Sequence, residues 1–140
     1  MKEKIKERLK AKIISWEEPF PRRVYFSIPA KDIFDTAKFL FKELKIRFAI
    51  ASGLETPQGF EILYHFSDDK TGVIYSVRVT IEDKQNPRID AITPIFPGAE
   101  WIEREMWEML GIEFTGHPNL KRLLLSDDWP EGQYPLRRTQ

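Results

Sequence analysis

The chain contains no cysteine. That absence removes thiolate-held iron–sulfur clusters, cysteine-based zinc sites, disulfides and cysteine nucleophiles. Histidine is scarce too: His65 and His117 are the only two, so a histidine-rich metal site is not expected. No apolar run approaches the roughly 20 residues that a membrane-spanning helix needs. Neither sign of charge is in excess, with Lys plus Arg and Asp plus Glu at 22 each, which argues against a general polyanion binder. Glycine-rich phosphate cradles are missing, and neither histidine has a reason to neighbour a serine in a nucleophile triad. There is no secretory h-region. The basic stretch 1–12 includes Glu3 and Glu7 and lacks serine, unlike a transit peptide, so the expected compartment is the cytoplasm.

What is present suffices for one domain. The 140 residues are 41% hydrophobic, with ten Phe, four Trp and four Tyr, enough for a single packed interior. Ile5, Leu9 and Ile13 recur every four residues and predict a helix over 2–14. Its lysines spread around the helix, which makes it a solvated surface helix. Pro19 and Pro21 end helical structure there. Residues 23–28 alternate and predict a strand. Ile33, Phe34, Ala37, Leu40, Phe41 and Leu44 follow helical spacing over 32–44. Strands are expected at 47–54, 59–67 and 73–81, the last two joined by the turn 68–72 and therefore antiparallel. Residues 82–98, with Pro87, Pro94 and Pro97, read as irregular connection. A third helix is expected over 99–110, with Gly111 as a left-handed cap. Beyond Gly116 the chain reads as loop, apart from the short run 120–125.

These elements predict an α+β fold: a mainly antiparallel sheet of about four strands with helices on one face, plus an extended C-terminal arm. Residues 1–115 form the α+β domain and 116–140 the docking segment. The arm has few positions that could join the core, so it lies on something else or stays disordered.

The third helix and the arm carry the candidate site. Glu103 and Glu105 are two apart on a helix and diverge, so they cannot act as a catalytic pair. Glu100 can pair with Arg104 at i,i+4, leaving Glu105 and Glu108 to meet a basic partner. Asp127-Asp128-Trp129 has two readings: a hard cation on paired carboxylates, or turn chemistry followed by an aromatic anchor. Trp129, Arg137 and Arg138 are of the types that carry interface energy. His117 reads as a structural loop residue. His65 is given no role. Trp101 and Trp107 diverge on their helix, which divides them between core and interface.

The segment Trp101-Ile-Glu-Arg-Glu-Met-Trp-Glu-Met-Leu-Gly-Ile-Glu-Phe-Thr-Gly-His-Pro-Asn-Leu-Lys-Arg-Leu-Leu-Leu125 closely resembles the motif of the thirty-kilodalton subunit family of respiratory complex I. Ser126-Asp127-Asp128-Trp129 and Tyr134-Pro135-Leu136-Arg137 resemble the same family's ending, and the strong match covers about residues 94–138. The resemblance implies a non-catalytic, cofactor-free hydrophilic subunit, peripheral to the cytoplasmic membrane through its complex. Its implied partners are a hydrogenase-like large subunit and an iron–sulfur small subunit of an NADH:quinone oxidoreductase-type assembly. The expected partner-interface residues are Glu103, Arg104, Glu105, Glu108, His117, Asp127, Asp128, Trp129 and Arg137. The short stretch after Pro135-Leu136-Arg137 is similar to forms in energy-converting membrane-bound hydrogenases and related ion-pumping complexes, which is the second reading. A third, from another class, is a free-standing α+β ligand-binding domain.

Overall fold

The computed structural model describes residues 1–138. Helix α1 (Lys2–Leu9) is shorter than the spacing predicts: the chain turns at 10–12, where Lys12 and Ile13 both donate their amides to the Leu9 carbonyl. Strand β1 (Ser15–Phe20) follows, where the two prolines gave only the end of a helix. It is an edge strand, the position at which a sheet tolerates proline. Strand β2 (Arg23–Ser27) pairs with it, and Trp16 stacks on Phe26 at 5.3 Å.

Helix α2 (Ile33–Lys38) is entered through a 3-10 turn (Ala30–Asp32) and widens into a π-helical turn (Phe39–Glu43). The predicted apolar stripe is what it buries: Ile33, Ala37 and Leu40 are at most 2% exposed. Strands β3 (Arg47–Thr56), β4 (Gly59–Asp68) and β5 (Val73–Ile81) form an antiparallel meander. Their period-2 pattern sends Phe60, Ile62, Tyr64 and Phe66 of β4 into the same interior as Val73, Tyr75, Val77, Val79 and Ile81 of β5.

The sheet has five strands in the order β1-β2-β5-β4-β3 and is mixed, because β2 lies parallel to β5. This agrees with the expected α+β fold and mainly antiparallel sheet of about four strands: only the β2–β5 pairing is parallel, and β1 is the strand added. The connection from β2 through α2 crosses the sheet, so that β2 ends beside the last strand of the meander. Strand β6 (Arg88–Asp90), inside the stretch expected to be irregular, pairs in parallel with β7 (Glu113–Thr115). Three residues are too few for a periodic signal, yet Ile89 and Phe114 are buried at this junction.

Helix α3 (Glu100–Leu110) ends as predicted: Gly111 has φ 77° and donates its amide to the Trp107 carbonyl. Only glycine adopts that dihedral without strain, and a Cβ there would also lie 2.6 Å from Arg137 and Tyr134. α3 packs across β3, where Gly53 admits it: a Cβ on Gly53 would stand 3.1 Å from both Met106 and Leu110. Residues 116–138 form no regular element after β7 and lie over α3 instead of extending away from the domain as an arm.

Candidate partner-binding surface

α3 is built with charges on its buried side. Glu103 is fully buried, and its carboxylate accepts the amides of Ile92 at 2.8 Å and Thr93 at 3.2 Å, together with the Thr93 hydroxyl. Burial pushes this carboxyl above its ordinary value, while the Thr93 hydroxyl and those two amides pull it back. The result is a clamp on the loop that follows β6. Glu108, 4% exposed, does the same for the tail: it accepts the amides of Leu123, Leu124 and Leu125, the last at 2.7 Å. Arg104 reaches the same segment from one turn earlier, donating to the carbonyls of Lys121 and Arg122 at 3.1 and 2.6 Å. Arg104 and Glu108 thus hold both polarities of one backbone stretch, and such charge-assisted bonds are the stronger kind.

Several of the residues expected at the partner interface make bonds within the chain. Glu103, Arg104 and Glu108 bind the chain's own loops, and Glu108 is not free to meet a basic partner. The expected Glu100–Arg104 pair is replaced as well: Glu100 accepts the side-chain amide of Asn119 at 3.2 Å. His117 is structural. Its Nε2 donates to the Glu100 carbonyl at 3.0 Å and its Nδ1 accepts the Asn119 amide at 3.0 Å, which fixes the neutral Nε2–H tautomer. Arg137 turns inward, donating from Nε to the Leu110 carbonyl at 2.6 Å with its guanidinium 4.6 Å from the Tyr134 ring. A cation at the end of α3 also complements the helix dipole.

The remaining predicted residues face outward. Glu105 is half-buried, and Asp127 and Asp128 are exposed. Asp128 accepts the Ser126 hydroxyl at 2.6 Å, which holds its carboxyl below the usual range and makes it part of a turn. Among the described residues no group of three or more His, Cys, Asp or Glu could hold a metal ion. Trp129 is half-buried, its indole N–H donating to the Gln133 carbonyl at 2.8 Å. With Trp107, Tyr134 and Arg122 it lines a hollow of about 300 Å³. Trp101 is 67% exposed and Trp107 packs against the core, so the two divide in the way their spacing suggests.

Sequence reasoning missed Glu55. It is 4% exposed on β3, paired with Lys84 at 2.9 Å, and it accepts the Arg138 amide at 2.7 Å. A charged residue on the core phase of a strand was the available signal. His65 lies on the helix-free face of the sheet, 2.7 Å from the Ser76 hydroxyl.

Residues 26–140 match the family model described as the 30 kDa subunit of the respiratory-chain NADH dehydrogenase. An NADH-quinone oxidoreductase subunit from Roseiflexus sp. (strain RS-1) is 37% identical over 113 residues, which span 76% of this chain and 63% of that protein. The chain therefore spans less than two thirds of that relative's length. Among solved structures, a chain of the membrane-bound sulfane sulfur reductase, an archaeal respiratory membrane complex, is similar with TM-score 0.78 and 25% identity. The match covers 96% of this chain and 81% of that one. A trypsin-resistant fragment of Nqo5 is similar with TM-score 0.68 and 25% identity, over 84% of this chain and 98% of the fragment.

Proposed function

Because the chain belongs to the family of the respiratory-chain NADH dehydrogenase 30 kDa subunit, we propose that it serves as a hydrophilic subunit of a complex I-like membrane assembly, without chemistry of its own. Its role is to scaffold a hydrogenase-like large subunit and an iron–sulfur small subunit, so that cluster and acceptor keep their separation. The observation that carries this reading is the family match over residues 26–140, which takes in the whole of α3 and the tail. Three things in the molecule support it. Among the described residues no helix is long and apolar enough to cross a membrane, and the attachment proposed, peripheral and on the cytoplasmic face, is the one the family resemblance implies. Glu103, Arg104 and Glu108 of α3 are committed to holding backbone. Trp129 and Glu105 remain partly open on the surface, as anchors of an interface would.

Which complex the chain serves has two readings. NADH:quinone oxidoreductase is favoured by the NADH-quinone oxidoreductase relatives. The second reading, the equivalent subunit of an energy-converting hydrogenase or related ion-pumping complex, draws on the likeness to a chain of the membrane-bound sulfane sulfur reductase, a respiratory membrane complex of another kind. The experiment is co-expression of the full chain with the large and small subunits. Recovery of a ternary complex is expected, with Trp129→Ala weakening it by about 30-fold (~2 kcal/mol) while the isolated chain melts normally. A wild-type chain that binds neither subunit overturns the reading.

A further inference from the structure

The five-stranded sheet has two outer strands, and the sequence treats them differently. β1 carries Glu17, Glu18 and Pro19, and its pairing with β2 is irregular between Glu17 and Phe20. Charge, proline and irregularity are the devices that keep a stray strand from adding to an edge. β3 has almost none of them. From Phe48 to Leu54 it reads Phe-Ala-Ile-Ala-Ser-Gly-Leu, without charge or proline, and its one register shift lies at the start, between Phe48 and Ile50. From Ile50 to Thr56 it pairs residue for residue with β4, so its other edge is regular over the same length. Among the described residues no other backbone group bonds to that edge.

A groove runs along it, with α3 as the opposite wall. Two adjoining hollows of about 490 and 270 Å³ share Ile50, Ile102 and Glu105. Large apolar side chains border them from end to end: Ile50 is 54% exposed, Trp101 67%, Leu124 61% and Leu136 58%. Scattered exposed apolar residues are ordinary, but a connected set along one groove marks an interaction site. The charge within the groove is of one kind. Glu105 is half-buried and forms no ion pair among the described residues. A carboxylate set among apolar walls calls for a cation on whatever fills them.

We propose that an extended segment of a neighbouring protein adds to the free edge of β3 as a further strand. One set of its alternate side chains lies against Trp101 and Ile102 of α3, with an arginine or lysine against Glu105, and the other set lies beside Ile50. Main-chain bonds to the edge then supply affinity, and the groove with its carboxylate supplies selection. The inference rests on the scaffold reading above and adds to it the chemistry of the segment that docks.

The test uses Ile50→Glu and Glu105→Lys in the full chain, co-expressed with the large and small subunits. Ile50 is exposed and Glu105 is half-buried at the groove surface without an ion pair among the described residues, so both variants should melt like wild type. Each is expected to weaken assembly by about 10-fold or more, through a charge buried in the apolar groove and through like-charge repulsion. Amide exchange along residues 50–54 should slow in the wild-type complex relative to the isolated chain. Equal assembly by both variants overturns the docking inference and leaves the scaffold reading standing. Loss of assembly without slowed exchange at β3 overturns the strand addition. A wild-type chain that binds neither subunit overturns both. If the isolated chain sediments as a dimer that Ile50→Glu abolishes, a second copy fills the groove and the proposal fails.

Discussion

The carboxylate of Glu108 accepts the Leu125 amide at 2.7 Å, joining the last turns of α3 to a tail that has no secondary structure of its own. The tail's position therefore depends on side chains of a helix and not on its own pattern. Glu108→Ala should release it, at a cost of about 1–2 kcal/mol, the range for charge-assisted bonds to a partly exposed segment. Amide exchange at Leu123, Leu124 and Leu125 should rise while exchange in β4 and β5 stays slow. Unchanged exchange in the tail would mean that Glu108 does not hold it.

Glu103 is enclosed more completely. Glu103→Ala leaves the amides of Ile92 and Thr93 without their acceptor inside the protein, and about 3 kcal/mol of destabilisation is expected by chemical denaturation.

The same carboxyl gives a pH dependence whose sign follows from its raised value in the folded state. The folded protein holds the proton more tightly than the unfolded chain. The contribution is therefore fully present below the unfolded value of 4.5 and is lost as pH rises through the folded one. Glu103→Gln does not titrate. Its melting temperature relative to wild type should move in the variant's favour as pH rises above 4.5, then level off. A difference that is flat across that window would refute the shift.

Asp69 gives the opposite sign. Arg47 holds it by two hydrogen bonds of 2.9 and 3.0 Å, with Ser67 adding a third, and its carboxyl is lowered from 3.8 to about 2. Its contribution is present above 3.8 and lost as pH falls through about 2. Carboxyl carbon NMR should place the titration near that value, and Arg47→Ala should return it towards 3.8.

A chain ending at Thr115 tests the division at that point. Every buried hydrophobic residue among those described lies at or before Phe114, so the core should survive. Removing the tail uncovers Arg104 and Glu108 to water instead of leaving them buried and unpaired. A single cooperative transition at a lower temperature is expected. Its disappearance would make the tail part of the domain.

The sequence by itself determined the elements whose signal is local. Period-2 alternation gave β4 and β5, helical spacing gave α2 and α3, and Gly111 gave the end of α3, because each depends on a residue's neighbours along the chain. The resemblance over residues 94–138 is legible for the same reason: it is a linear pattern. Tertiary structure decided what the charges in that pattern do. Glu103, Arg104 and Glu108 read as a surface face, since spacing along a helix says which side chains share a side but not what covers that side. The covering segments are the loop at 92–93 and the tail at 121–125, brought there by β6 pairing with β7 and by the turn after Gly116. Glu105, two residues from one clamp and three from the other, is only half-buried, and Leu123 and Leu124 of the tail border the same hollow without bonding to it. The parallel placement of β2 beside β5 is likewise a non-local choice, fixed by where α2 packs and not by any residue within either strand.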